Sequence, residues 1–175
     1  MDSPSSSHAT NEDAARFCVR CGGSLVSRQL KAIEPSRLVC SLCSYVHYHD
    51  PKVAACVICE IDGKVVLLRR GIEPSYGQWV FPGGFLDRGE RVEDAAVREA
   101  REEVNVEVRV QRLLNVYSYP GHPVVVVVYV GDIVSGVPSV GDEAIEVSLF
   151  GYDEIPWSEL AFPSTRQALR EYFGE

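Results

Sequence analysis

Along the chain the spacing of apolar positions switches between two periods, and each switch marks an element. Lys52–Ile61 and residues 64–69 are rich in β-branched and apolar side chains and flank Asp62-Gly63. That dipeptide tolerates positive φ at both centres of a type I′ turn, so the pair predicts a β-hairpin. Residues 78–81 predict a short strand. Val92–Val104 has the helical period and predicts a helix. Residues 106–119 and 123–130 predict two further strands, and 146–151 a last short one. Residues 164–173 predict a C-terminal helix capped by Ser164 or Thr165. Strands enclosing one central helix, with another helix at the end, predict an α/β fold in which a mixed sheet lies between helices, an αβα sandwich. The apolar run 124–130 is strand-sized, well short of the ~20 residues of a membrane span.

The pattern is different before residue 51. Residues 1–16 are rich in Ser and acidic residues, without the basic-then-apolar order of a secretory signal or the arginines of a transit peptide. They are expected to form a disordered tail on a cytoplasmic protein. Residues 17–50 hold four cysteines and few long apolar runs. Cys18-Val-Arg-Cys21 and Cys40-Ser-Leu-Cys43 are two Cys-x₂-Cys pairs. Each pair can turn both sulfurs toward one point, and two pairs complete a tetrahedron around Zn²⁺. Two local disulfides or four buried thiols would account for the same residues. A segment this short without a core needs a staple, which favours zinc. Four protein ligands leave no open position, so the zinc would be structural. Cys56 and Cys59 share the spacing but lie in a strand, where they point to opposite faces and serve as small core residues. The chain therefore divides into a tail (1–16), a zinc ribbon (17–50) and a larger domain (51–175).

A formal charge of −8 over 175 residues argues against an extended nucleic-acid or membrane partner, which would want a basic face. It suits carboxylates gathered around a cation. Glu99, Glu102 and Glu103 stand at i, i+3 and i+4 of the central helix and share an arc of about 100°. Val97, Ala100 and Val104 are expected to pack on the sheet from the roughly opposite side, with Ala95 and Ala96 leaving room beside the acids. A hard divalent cation such as Mg²⁺, or Mn²⁺, would relieve the repulsion. The alternative is a solvated helix with ion pairs Asp94–Arg98 and Arg98–Glu102.

The segment from Gly83-Gly84 through Glu90 and Arg98 to Val106 resembles the box of the Nudix hydrolases: Gly, five residues, Glu, seven residues, Arg-Glu, an aliphatic residue, any residue, Glu-Glu, any residue, Gly, and an aliphatic residue. Gly84, Glu90, Arg98, Glu99, Glu102, Glu103 and Val106 fall in register. Ala100 is smaller than the usual aliphatic residue. Asn105 stands where the box has the glycine that ends the helix, and Asn is the next-best residue for a left-handed cap. The resemblance implies the Nudix fold, with Glu99, Glu102, Glu103 and the Gly83 carbonyl holding Mg²⁺. Arg98 would orient the carboxylates and Glu90 would support them at the helix start. The base is left open between Glu103, Glu99 and a later loop acid such as Glu143.

A zinc ribbon ahead of a Nudix domain is similar to two groups. NADH pyrophosphatases carry a Ser-Gln-Pro-Trp-Pro-Phe-Pro-like motif beyond the box, where this chain has Tyr117-Ser-Tyr-Pro-Gly-His-Pro123. The second group begins Phe-Cys-x₂-Cys-Gly and continues near Asp-Pro-Lys-Val; Phe17–Gly22 and Asp50–Val53 resemble it. Its association with ADP-ribose and FAD makes hydrolysis of one of these diphosphates, releasing AMP, the leading expectation. NADH or RNA-cap pyrophosphatase activity, or a non-catalytic nucleotide-sensing protein, are the alternatives. The resemblance also implies a homodimer. Trp79, Tyr117 and Tyr119 are candidates to stack a base, and Arg69 or Arg70 to bind phosphate.

Overall fold

The computed structural model describes residues 15–175; the expected tail lies almost entirely outside them. The chain forms two compact units that meet in sequence at Asp50 and Pro51.

The first unit is a small antiparallel sheet. β1 (Leu25–Arg28), β2 (Arg37–Cys40) and β3 (Val46–His47) lie in that order, strands that the apolar pattern does not announce. The two cysteine pairs turn in the same way: the Gly22 N–H donates to the Cys18 carbonyl at 2.9 Å and the Ser44 N–H to the Cys40 carbonyl at 3.1 Å. Gly22 and Ser44 both have positive φ, +73° and +58°. A non-glycine residue thus takes the conformation that glycine takes in the other turn.

The second unit is built on a mixed sheet. β4 (Lys52–Ile61) and β5 (Lys64–Arg70) form the expected hairpin, with φ +51° at Asp62 and +77° at Gly63, as a type I′ turn requires. β6 (Trp79–Val80) pairs with β5, and β7 (Gly83–Phe85) with β4. Helix α1 (Val92–Val104) leads into β8 (Val106–Tyr117), β9 (Val124–Gly136) and β10 (Ala144–Phe150). Helix α2 (Pro163–Phe173) closes the chain. The strand order is β10-β5-β4-β9-β8, with β4 and β9 parallel and the other neighbours antiparallel.

β5 is buried on both faces: Val65, Val66, Leu67 and Leu68 are all fully covered. Each such side chain contributes roughly 1.5–3 kcal/mol of burial, and a strand covered on both faces reads as a continuous apolar run. Cys56 and Cys59 mark the two faces of β4, the first beside the acids of α1 and the second beside Tyr172 of α2.

Several boundaries differ from expectation: β8 stops at Tyr117 rather than 119, where its pairing with β9 ends, and β10 spans Ala144–Phe150 rather than 146–151, because Ala144 already pairs with Arg70. β9 runs to Gly136 because it pairs with β4 through Asp132 and with β8 through Gly136, so ladder bonds carry it beyond the apolar run. β7 was absent from the apolar pattern because two of its three residues are glycines. α2 begins at Pro163, with Phe162 as its cap residue; Ser164 and Thr165 are buried inside the first turn rather than capping it. Proline suits the first helical position, where its missing N–H costs nothing.

Candidate functional site

The glutamates of α1 are held at three depths. Glu103 is only 5% exposed, and one of its oxygens accepts a 2.8 Å bond from the Gly83 N–H. Glu99 is largely covered and Glu102 is exposed. The expected division of α1 into a carboxylate side and an opposite sheet-packing side is therefore corrected. Ala96, Ala100, Glu103 and Val104 all face inward, Ala95 is buried with them, and Val97 is only half-buried.

The reason lies in β7. A Cβ on Gly84 would come within 2.5 Å of a Glu99 carboxylate oxygen, and one on Gly83 within 2.3 Å of the Cys56 sulfur. Gly84 without a side chain lets Glu99 approach the sheet backbone, and Gly83 without one lets β7 pack closely against Cys56 of β4.

Arg98 gathers the rest. Its Nε and Nη2 bind the two oxygens of Glu90 at 2.8 and 3.0 Å. Nη1 reaches Glu99 at 2.7 Å and Glu102 at 3.0 Å, and Nη2 also reaches the Phe85 carbonyl at 3.1 Å. A bidentate guanidinium–carboxylate pair is directional, so Arg98 ties the entry loop to the helix. Of the two ion pairs expected on a solvated helix, Arg98–Glu102 forms, whereas Asp94 has no ion-pair partner among the described residues. Arg98 is turned toward Glu90 instead.

The electrostatics follow from this packing. Arg98 holds Glu90 down to about 2, aided by the Asp87 N–H. Burial pushes Glu103 up to about 8; the Gly83 N–H opposes the shift, and the charges of Glu99 and Glu143 add to it. Burial also raises Glu99, against Arg98. Glu143 thus belongs to the cluster electrostatically although it lies far along the chain. It lies in the turn immediately before β10 with φ +59°, and its carbonyl accepts the Gly71 N–H at 2.7 Å.

The structure separates the two candidate arginines. Arg69 is engaged by Glu146 and Glu159, at 3.4 and 3.1 Å, and lies over Trp79. Arg70 has no carboxylate partner among the described residues. Its Nε donates to the Pro74 carbonyl at 2.8 Å, its guanidinium lies over Phe162, and its charge stabilises ionised Glu103. Strand alternation alone implies that only one of two adjacent residues faces the acids. The aromatic candidates are occupied. Trp79 is buried edge-on against Phe150, the Tyr117 hydroxyl binds Glu171, and that of Tyr119 binds Gln167. A cavity of about 770 Å³ between β8 and α2, lined in part by Asn115, Phe162, Arg166 and Glu171, contains neither the α1 glutamates nor Glu143.

The four cysteines are placed as a metal site requires. The four cysteine sulfurs lie within 4.8 Å of one another, with Cys18–Cys43 at 3.7 Å and Cys21–Cys40 at 3.4 Å. Sulfurs about 2.3 Å from one zinc would stand at similar separations. The Cys43 N–H lowers the pKa of the Cys40 thiol, which favours the thiolate that binds metal there, while at Cys21, against the Gly23 N–H, the neighbouring Cys43 and Cys40 thiols raise it. At the helix, an all-oxygen donor set with a buried acid short of positive partners suits a hard cation.

Comparisons with known proteins agree with this arrangement. The NUDIX domain family matches residues 49–172, and the Nudix N-terminal zinc-ribbon family matches residues 16–49. An ADP-ribose pyrophosphatase of Methanocaldococcus jannaschii is 40% identical over 123 residues, 67% of this chain and 71% of that protein. The NAD-capped RNA hydrolase NudC of Salmonella heidelberg is 26% identical over 147 residues, and the match spans only 53% of its length. The crystal structure of a NUDIX hydrolase from Nitrosomonas europaea superposes with a TM-score of 0.84 at 34% identity, covering 92% of this chain and 94% of that one.

Proposed function

The chain belongs to the Nudix hydrolase family, whose chemistry is cleavage of a nucleoside diphosphate linkage, and on that premise we propose that its substrate is ADP-ribose. The observation that carries the reading is the convergence of Glu99 and Glu103 on the Gly83-Gly84 strand. The substrate choice is supported by the greater identity to an ADP-ribose pyrophosphatase, 40%, than to NudC, 26%.

In this reading Glu99, Glu102, Glu103 and the Gly83 carbonyl hold Mg²⁺, or Mn²⁺. Bound there, the cation would neutralise charge on the diphosphate oxygens and lower the barrier to attack by water. Arg98 keeps Glu99 and Glu102 aimed at one point, and Glu90 anchors Arg98. Arg70 takes a phosphate oxygen. Glu143 accepts the proton of the attacking water as its oxygen bonds to phosphorus. The bridging P–O bond breaks, giving AMP and ribose 5-phosphate.

FAD is the second substrate of the same class. NADH or capped RNA is the runner-up, favoured by the similarity to NudC. The four sulfurs of the ribbon hold Zn²⁺ as a structural ion. We place the protein in the cytoplasm, a reading supported by six cysteines without a disulfide. We take it to be a homodimer; β8 is an edge strand of the sheet and exposes Leu113 and Val116.

The test is incubation with Mg²⁺ and, separately, ADP-ribose, FAD, NADH and a nucleoside diphosphate sugar, with Glu103→Gln as control. AMP from ADP-ribose, lost in the variant, is the expected result. Turnover of NADH in preference to ADP-ribose would replace the substrate, and no turnover of any compound with Mg²⁺ or Mn²⁺ would sink the catalytic reading.

A further inference from the structure

Asn105 ends α1 with φ +58° and ψ +35°, the left-handed cap that glycine most often provides. A glycine would suffice for that backbone. The side chain does something a glycine cannot. Its Nδ2 donates to the Val140 carbonyl at 3.1 Å and to the Ser139 carbonyl at 3.3 Å.

Those carbonyls belong to a segment that lies across the helix end. The Ser139 N–H donates to the Val104 carbonyl at 3.1 Å, Gly141 to Glu103 at 3.0 Å and Asp142 to Glu102 at 2.8 Å. The segment therefore satisfies carbonyls that the last turn of a helix leaves without partners. A Cβ on Gly141 would stand 2.1 Å from the Glu102 carbonyl oxygen, so the approach is as close as backbone allows. The next residue but one is Glu143. Its left-handed backbone is disfavoured for a side-chain-bearing residue, and the Gly71 N–H bonded to its carbonyl helps to hold it.

We infer that Asn105 is a positioning residue: its amide ties residues 139–140 to the end of the glutamate helix and so fixes, relative to that helix, the loop that carries Glu143. The inference rests on the proposed part of Glu143 in hydrolysis. The helix supplying the metal-facing acids and the loop supplying the later acid are then one rigid unit, joined at the position where this chain departs from the glycine of the box.

The test uses the full-length protein and whichever compound of the substrate panel it hydrolyses. Asn105→Gly keeps the left-handed cap and deletes only the amide, while Asn105→Asp places an acceptor against two carbonyls. Both are measured in wild-type and Glu143→Gln backgrounds, with amide hydrogen exchange at Gly141 and Asp142. Asn105→Gly should lower kcat about tenfold with KM within about twofold, since small misplacements of a reacting group are costly. It should speed exchange of both amides and cause no further loss once Glu143 is Gln. Asn105→Asp should do no better than Asn105→Gly. An unchanged kcat, unchanged exchange, or an equal loss in both backgrounds would overturn the inference. Wild-type kcat in Glu143→Gln, with Glu103→Gln inactive, would also overturn it while leaving the metal-hydrolase reading intact. An active Glu103→Gln would instead remove that reading.

Discussion

The Glu103 carboxylate on α1 accepts a 2.8 Å hydrogen bond from the backbone N–H of Gly83 on β7. The bond fixes the helix to the glycine strand, but it leaves a buried acid whose pKa burial raises from 4.5 to about 8. Unfolding lets this acid ionise at its ordinary value, so its contribution to stability is full below about pH 4.5 and is lost as pH rises to about 8. Without divalent metal, Glu103→Gln should exceed wild type at pH 8.5 by on the order of 2 kcal/mol, several degrees in Tm. The gap should narrow toward pH 5 and also on adding Mg²⁺. Melting curves across pH with and without Mg²⁺ check this; a gap independent of pH would refute it.

Gly84 is the complementary probe. The three atoms nearest to a Cβ there all belong to the Glu99 carboxylate, the movable end of a side chain, at 2.5 to 2.6 Å. Gly84→Ala should therefore fold with a Tm within a few degrees of wild type and bind Mg²⁺ or Mn²⁺ roughly tenfold more weakly, a loss of about 1.4 kcal/mol. Calorimetric titration with Mn²⁺ decides it, and unchanged affinity would mean that Glu99 is not a ligand.

Arg69 and Arg70 should separate cleanly. Arg70→Ala should raise the KM for ADP-ribose about tenfold or more, because it removes a charged partner of phosphate. Arg69→Ala breaks its pairs with Glu146 and Glu159 and its contact with Trp79. It should lower Tm while leaving KM within about twofold. Steady-state kinetics beside melting curves would show the reverse assignment if the adjacent residues had been confused.

The four ribbon cysteines should hold about one zinc per chain. Among the described residues of this unit, the buried apolar side chains are those of Cys18, Val39 and Cys40, too few to hold it together alone. A strong chelator, or Cys40→Ser, should release the metal and unfold β1–β3. Metal analysis and the exchange rates of the β2 amides report it; slow exchange after the zinc has gone would show the ribbon to be self-supporting.

Much of this was legible in the sequence. Asp62-Gly63 set the hairpin turn, the period of residues 92–104 set α1, and the spacing of Glu99, Glu102 and Glu103 placed three acids on one side of it. Those are local properties: a dipeptide chooses its φ values and a helix repeats every 3.6 residues whatever surrounds it. The Cys-x₂-Cys pairs are local in the same sense. The apolar pattern failed where the reason for a strand is a neighbour, as in the extension of β9 and in β7.

Depth and partnership were decided by tertiary structure. No spacing distinguishes the buried Glu103 from the exposed Glu102, because burial depends on the Gly83-Gly84 strand lying under one and not the other. Nor does sequence show that Arg98 leaves Asp94 for Glu90, that Arg69 is occupied while Arg70 is not, or that Glu143 shares a field with Glu99. The chain by itself determined which acids, sulfurs and arginines are present and how each element presents them. Only the packing of separate segments against one another determined their distances, and Coulomb energy, hydrogen bonding and desolvation act through those distances.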